Sequence, residues 1–228
     1  MSFVQGVGFG TSSTSGNPAG NSITGVGAGH GLPSFLWFNG TTTPGITSIT
    51  DSAGTTWAVS GSPVAMVSGG TSIVCVVPTS AVVAGTHTLT ANYTGGGSYW
   101  VMYIEDTLNT LRAAAIGRNI PTPGAGQTLT PGSAVGNSGD LVYLFAFDDI
   151  TAAAPNQPVA GSGGFTIPAA LTGTITFGGS YSAGYNASAG GTTPSFAPGT
   201  AGASDETGVI SFALIAAASP TATVAWIT

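Results

Sequence analysis

The sequence predicts an all-β fold, either a two-sheet antiparallel sandwich or a barrel, and three observations support this prediction. Short runs rich in Val, Ile, Thr and aromatic residues recur along the chain, whereas helical periodicity is nearly absent. The 37 glycines and 14 prolines, with Asn and Ser, separate these runs as turn and loop residues. Hydrophobic residues make up 42% of the 228 residues, enough for a buried core in one domain spanning residues 1–228. Residues 1–22 are interpreted as an extended N-terminal arm.

The individual strands are predicted from β-rich runs bounded by turn residues. The run 141–147 is apolar on both faces, which is typical of a central strand between two covered layers. In Asp51-Ser52-Ala53-Gly54, Asp51 is interpreted as a turn former that binds nearby backbone N–H groups, and Gly54 can adopt the positive φ of a short hairpin. The clearest strands are predicted at residues 46–51, 56–60, 72–77, 86–93, 99–105, 141–147, 172–177 and 208–215, and weaker ones at 3–7, 35–39, 127–130 and 221–227.

The remaining sequence is interpreted as loop, with one exception. Residues 106–115 form a short helical candidate that Asp106 or Thr107 could cap, and a loop is the alternative. Three long segments rich in Gly, Ser, Thr, Ala and Pro are expected to be mobile loops in an isolated monomer: residues 10–20, 121–136 and 183–202.

Ionised side chains are scarce. Charged residues are 4% of the chain, against about 25% in a typical soluble domain, and lysine is absent. Two basic residues against eight acids, for a net charge of −6, exclude a nucleic-acid binder that relies on phosphate neutralisation. Residues 1–50, 52–104 and 150–204 contain no charge, so the usual protection of sheet edges by lysine is missing. We therefore expect partner subunits to cover this surface, in preference to loops of the same domain.

The sequence does not predict a membrane protein. The segment 1–7 lacks the basic and continuous apolar regions of a signal peptide. The most apolar stretch, residues 212–227, is interrupted by Pro220 and falls short of the roughly 18 apolar residues that a membrane-spanning helix needs.

No residue is assigned a catalytic, cofactor-binding or metal-binding role. His30 and His87 have no acid or nucleophile at a diagnostic spacing, and a zinc site would need further ligands. Cys75, the single cysteine, lies in an apolar run and is predicted to be a buried thiol. Solubilising charge at strand ends is favoured over calcium binding or glycoside hydrolysis for three acidic pairs: Glu105-Asp106, Asp148-Asp149 and Asp205-Glu206.

The aromatic residues could form either a hydrophobic core or a platform for sugar rings. Core packing is favoured, because such side chains more often fill the layer between two sheets. The residues concerned are Trp37, Trp57, Trp100, Trp226, Tyr99 and Tyr103. The two cations, Arg112 and Arg118, are predicted to pair with local acids or to contact another subunit.

Several segments resemble a widespread group of phage- and prophage-encoded β-sandwich proteins, whose members typically show V-T-S-V-T-D-S-x-G-N-T-Y. The corresponding segment here is G-I-T-S-I-T-D-S-A-G-T-T-W, from Gly45 to Trp57. The similarity departs from the family at Thr55-Thr56, where Asn-Thr is usual, and in Gly/Ala/Thr insertions near 120–136 and 183–203. The other similar segments are Phe3-Val4-Gln5, the strands 72–77, 86–93 and 99–105, Gly139-Asp140-Leu141-Val142, and residues 209–214.

The resemblance implies a two-sheet, jelly-roll-like sandwich with long Gly-rich loops. It implies a non-enzymatic structural protein on the surface of a bacteriophage virion, decorating or cementing the head through contacts with the major capsid protein and sister subunits. The alternatives are a tail-fibre or tail-tip module that binds host surface glycans, and a carbohydrate-binding β-sandwich. The family brings no catalytic residues, cofactor or metal.

Overall fold

Antiparallel strands account for most of the chain that the computed structural model describes, namely residues 3–66, 70–107, 110–111, 118–119, 141–148, 165–175, 180–186 and 207–215. These residues contain no α-helix and a single 3₁₀ turn, Ala169–Leu171. In chain order the strands are β1 (Phe3–Val7), β2 (Ser13–Thr14), β3 (Ile23–Val26), β4 (Ser34–Asn39), β5 (Gly45–Asp51), β6 (Trp57–Met66), β7 (Thr71–Pro78), β8 (Gly85–His87), β9 (Leu89–Thr94), β10 (Ser98–Asp106), β11 (Thr110–Leu111), β12 (Arg118–Asn119), β13 (Leu141–Asp148), β14 (Thr172–Thr174), β15 (Ser180–Asn186) and β16 (Thr207–Ile215).

The described strands form two large sheets and two small ribbons. The central sheet has the order β1-β10-β4-β7-β6, with β2 also paired to β10. The second sheet has the order β11-β16-β13-β15-β14, with β12 also paired to β16. The ribbons are β3–β8 and β5–β9, and every strand pair is antiparallel. The prediction of an all-β, antiparallel fold is confirmed.

The central sheet is buried on both faces, because its strands are apolar at consecutive positions. In β4, Phe35 and Trp37 face the second sheet, whereas Leu36 and Phe38 face the two ribbons, as the two-residue period of a strand requires. The first core joins the central sheet to Tyr143, Phe145, Tyr181 and Ala183 of the second sheet. The second core joins it to Ile23, Val26, Leu89 and Ala91 of the ribbons. The described part of the molecule therefore has three layers.

The N-terminal segment is paired with the central sheet. Strands β1 and β2 both hydrogen-bond to β10. The low-complexity residues 10–20 bond to β9, through Gly16 N to Ala91 O at 2.9 Å and Ala19 N to Leu89 O at 2.8 Å. Residues 3–22 are thus integrated into the layers, in contrast to the extended arm and mobile loop expected from their composition.

Several predicted elements differ from the structure for identifiable reasons. The predicted strand 86–93 is divided at Thr88, whose backbone N–H and C=O bond to Ser52, so β8 and β9 belong to different ribbons. The helical candidate 106–115 is wrong where it is described, because Asp106 ends β10 and Thr110–Leu111 is a strand. Strand β15 overlaps the segment 183–202, for which the composition predicts a loop. The strands predicted at 127–130 and 221–227 lie outside the described residues.

The turn after β5 is formed as predicted, but it does not close a hairpin, because β5 pairs with β9 and β6 pairs with β7. The side-chain Oδ1 of Asp51 accepts the N–H of Ala53 at 3.1 Å, and its backbone C=O accepts the N–H of Gly54 at 3.0 Å. Gly54 has a φ of 82°, which favours glycine.

Candidate functional site

The three carboxyl side chains within residues 3–66 and 70–107 lie inside the protein. Glu105 and Asp106 are 0% exposed, and the side chain of Asp51 is equally inaccessible. The prediction that the Glu105-Asp106 pair supplies solubilising charge is therefore wrong. Buried ionised groups need hydrogen-bonding partners to offset the loss of water, and each of these acids has them. The side chains of the other two acidic pairs, Asp148-Asp149 and Asp205-Glu206, are not among those that the structure describes.

Glu105 holds the side chain of His30. Its Oε1 accepts the backbone N–H of Gly27 at 2.8 Å and lies 2.6 Å from His30 Nδ1. Its Oε2 accepts Nε2 of Gln5 at 2.6 Å, and the same Gln5 amide donates to the C=O of Thr24 at 2.8 Å. Because an ionised carboxylate can only accept hydrogen bonds, we assign Nδ1 of His30 as the third donor to Glu105.

A glycine-rich turn places His30 beside this carboxylate. The N–H of His30 bonds to the C=O of Gly27 at 3.3 Å, and Gly29 has a φ of 71°, as the third position of a type II turn requires. The imidazole ring covers Gly27 so closely that a Cβ there would lie 2.5 Å from its Cε1. Gly31 then exchanges two backbone hydrogen bonds with Asp106, which anchors the turn to the end of β10.

His30 lines a pocket of about 210 Å³, which we call the His30 pocket. The side chain of His30 is 30% exposed, whereas that of Glu105 behind it is 1% exposed. Among the described residues, Nε2 of His30 has no hydrogen-bond partner. The remaining lining residues carry no ionisable side chain: Gly29, Gly31, Leu32, Pro33, Val77, Pro78, Thr79, Ser80, Ala81 and Val82.

A second histidine–carboxylate pair, His87–Asp51, is completely sealed. His87 Nδ1 lies 2.6 Å from Asp51 Oδ2, and neither side chain is exposed. Nε2 of His87 lies 2.8 Å from the C=O of Val83, which can only accept, so Nε2 carries a proton. Asp51 Oδ2 also accepts the indole N–H of Trp57 at 3.1 Å. With every polar atom of His87 occupied, this pair fastens the two ribbons and has no capacity for a ligand.

The loop between β7 and β8 is held from both sides. Thr79 N bonds to the C=O of Thr56 at 2.8 Å, and Ser80 Oγ accepts the N–H of Thr56 at 3.1 Å. At its other end, Val83 N donates to Thr55 Oγ1 at 3.2 Å, and the C=O of Val82 accepts Gly29 N at 2.9 Å. One wall of the His30 pocket is therefore fixed by hydrogen bonds.

The third buried acid joins the two large sheets. The hydroxyl of Tyr143 in β13 donates to Asp106 Oδ2 in β10 at 2.6 Å. Burial, followed by the nearby Asp106 carboxylate, raises the pKa of Tyr143. Tyr143 therefore stays a neutral donor, and this contact is interpreted as structural.

The described aromatic residues from the sequence prediction form the core. Trp37, Trp57 and Trp100 are at most 9% exposed, which confirms core packing for these three and leaves them unable to stack on a sugar. The hydroxyls of Tyr99 and Tyr103 accept backbone N–H groups of β9 at 3.2 and 3.0 Å. Trp226 lies outside the described residues.

The structure describes the side chain of Cys75 but not those of the two arginines. Cys75 is a free, buried cysteine, as predicted, and burial raises the pKa of its thiol to about 12. Arg118 lies in β12 opposite Ile210, but its side chain and all of Arg112 are outside the description. Within the described residues, no group of three or more His, Cys, Asp or Glu side chains could hold a metal ion.

The surface of residues 3–66 and 70–107 carries no charged side chain, since the three acids in these ranges are buried. Among the side chains that the structure describes, three large apolar ones are exposed, each a valine: Val4 at 44%, Val59 at 37% and Val83 at 46%. No helix in the described residues is long and apolar enough to cross a membrane. Comparison of the chain with protein families, curated proteins and solved structures found no match.

Proposed function

We propose that the protein is a non-enzymatic structural component of a bacteriophage particle. It decorates and cements the head surface through contacts with the major capsid protein and with sister subunits. The observation that carries this proposal is the absence of surface charge over residues 3–66 and 70–107, where all three acids are buried. A surface of hydroxyl, backbone and small apolar groups repels little and can pack closely against a partner.

Strand β6 is the part of this surface best suited to a permanent contact. Among the described strands it pairs only with β7, so the other edge of β6 ends the central sheet. The sequence of β6 contains no charge, and Val59 on it is exposed. Soluble proteins usually protect such an edge with lysine or another charge. At the opposite end of the sheet, Leu171 of the 3₁₀ turn packs against the face of β1 at Gly6.

We further propose that the central sheet and the layer of the two ribbons form a jelly-roll-like sandwich, as the family resemblance implies. In support, the chain alternates between these two layers, because β4, β7 and β10 lie in the central sheet and β3, β5, β8 and β9 lie in the ribbons. A jelly roll consists of two sheets joined by Greek-key connections of this kind.

The experiment that tests the proposal locates the chain in particles. Phage particles from a culture carrying the gene are purified on a density gradient and labelled with a gold-conjugated antibody against the chain. Decoration predicts label spread over the head surface, and label confined to the tail would instead support the tail-fibre alternative. A chain that stays at the top of the gradient, apart from all particles, would contradict both.

A matched pair of variants tests the role of β6. Val59→Lys places a charge on β6, whereas Val4→Lys places one on β1. Val59→Lys is expected to weaken binding to heads by at least about tenfold, because a buried unpaired charge costs more than about 1.4 kcal/mol. Val4→Lys is expected to bind as the unmodified chain does. Equal binding by both variants would contradict the assignment of β6.

The alternative function, binding of host glycans by a tail module or a carbohydrate-binding sandwich, is favoured by one observation. Apart from His30, the described lining residues of the His30 pocket have no ionisable side chain, and two of them, Thr79 and Ser80, present hydroxyl groups.

A further inference from the structure

The two histidine–carboxylate pairs have the same short contact but different surroundings. In both pairs Nδ1 lies 2.6 Å from a buried carboxylate oxygen. Nε2 of His87 bonds to the C=O of Val83, whereas Nε2 of His30 has no partner among the described residues and its side chain is 30% exposed. The buried His87–Asp51 pair therefore has a structural role. In the His30–Glu105 pair, by contrast, Nε2 of His30 is held in a fixed orientation at the His30 pocket.

The hydrogen bond to Glu105 determines what His30 can offer to a ligand. Because Nδ1 of His30 donates to Glu105, Nε2 of the neutral ring has a free lone pair and acts as a hydrogen-bond acceptor. A group that donates a hydrogen bond, such as a hydroxyl, is the matching partner. The ring cannot rotate freely, because it lies against Gly27 and is fixed by Glu105.

The other lining groups favour a neutral ligand with several hydroxyls. Ser80 Oγ accepts a backbone N–H, which leaves its own hydroxyl hydrogen to donate. The described lining residues include no lysine or arginine that could bind an anion. Val77 and Pro78, which are partly exposed, provide apolar contact for the C–H groups of a ring.

We propose that the His30 pocket binds a single sugar residue or a similar small neutral polyol, with one ligand hydroxyl donating to Nε2 of His30. The volume of about 210 Å³ lies below the 300–1,000 Å³ typical of drug-sized ligands, which favours one ring over an oligosaccharide. Glu105 is a positioning residue, since it acts through His30. This site is independent of the head contacts proposed above, and either proposal can fail alone.

The test uses the full-length chain, labelled with ¹⁵N and titrated at constant pH. The probes are the methyl glycosides of glucose, galactose and mannose, and N-acetylglucosamine, with sodium acetate and inorganic phosphate as anionic comparisons. The proposal predicts saturable shifts of the backbone amides at residues 29–32 and 79–82 with at least one sugar. Neither anion should produce them.

Two variants remove the site by different means. His30→Phe removes the acceptor, and Ala81→Phe fills the pocket from an exposed loop position. Each is expected to weaken sugar binding by at least about tenfold, as the loss of one good hydrogen bond or of access implies. Thr50→Ala, which removes a hydroxyl on β5 that does not line the pocket, is the matched control and should bind as the unmodified chain does.

The remaining outcomes would overturn the proposal. These are the absence of saturable shifts with every sugar, saturable binding of acetate or phosphate in place of sugars, and undiminished sugar binding by His30→Phe. If His30→Phe does not give a dispersed amide spectrum, Ala81→Phe decides the question alone.

Discussion

Substitution of either residue of the His87–Asp51 pair should lower the free energy of unfolding, and we expect the two losses to be unequal. His87 Nε2 faces a carbonyl oxygen and therefore carries a proton, so the 2.6 Å contact between Nδ1 and Asp51 Oδ2 holds a second proton shared by the pair. His87→Phe leaves the Asp51 carboxylate in a site with 0% exposure, with only Ala53 N–H and the Trp57 indole as donors. Removing one partner of a buried ion pair costs about 3–5 kcal/mol.

Asp51→Asn is expected to cost less. The new side-chain amide can donate to Nδ1 of a neutral His87 whose proton remains on Nε2, so no charge is left buried. The loss is the acceptor for the Trp57 indole N–H, an unsatisfied donor worth about 1–3 kcal/mol. The double variant should cost less than the sum of the two, by about 0.5–3 kcal/mol, because the neutral amide at position 51 needs no counter-charge.

Equilibrium urea unfolding, followed by tryptophan fluorescence, measures these differences in the free energy of unfolding. The expected order of destabilisation is His87→Phe above Asp51→Asn, with non-additivity in the double variant. Equal costs for the single variants, together with additivity, would refute the assignment of a shared buried proton.

Three further predictions concern the core and the turns. Tyr103→Phe leaves a buried backbone N–H of β9 without its 3.0 Å acceptor and should lower the free energy of unfolding by about 1–3 kcal/mol, measured in urea. Because burial raises the pKa of Cys75 from 9.0 to about 12, its contribution to stability is complete below pH 9 and is lost as the pH rises towards 12. The midpoint of urea unfolding should fall between pH 9 and 12, and it should fall less steeply with pH in Cys75→Ala. An equal dependence on pH in the two proteins would show that ionisation of Cys75 does not contribute. Gly54 and Gly97 share a φ of 82°, but a Cβ has open space at Gly54 and overlaps the backbone of β4 at Gly97. Thermal unfolding should show Gly54→Ala destabilised by about 1–2 kcal/mol and Gly97→Ala by clearly more, and equal melting temperatures would be inconsistent with this packing.

Sequence patterns predict the large sheets of this protein because the relevant signals are local. The strands at β4, β7, β10 and β13 are recognisable from consecutive apolar and aromatic residues, which are typical of strands covered on both faces. Strand β15 is not recognisable in this way, because its sequence, SYSAGYN, lacks β-branched residues and its stability comes from pairing with β13 and β14. Tertiary pairing overrides weak local preference there.

The candidate site could not be predicted from spacing. His30 and Glu105 are separated by 75 residues, and only the pairing of Gly31 with Asp106 brings them together. The acid pair resembles surface charge in the sequence, because adjacent strand residues usually include one exposed position. Here the 27–33 segment and the second sheet cover both faces of the end of β10. The one local signal is a histidine between glycines, Gly29-His30-Gly31. It indicates a tight turn, but it does not indicate which residue contacts His30.

We propose that subunits of a larger particle cover the uncharged surface of residues 3–66 and 70–107. Sedimentation velocity of the full-length chain, alone and mixed with purified phage heads that lack it, tests this proposal. We expect the chain to sediment with the heads, and we expect Val59→Lys to shift it to the slow boundary of the free protein. A chain that sediments as the same slow, compact monomer at every concentration, with or without heads, would contradict it.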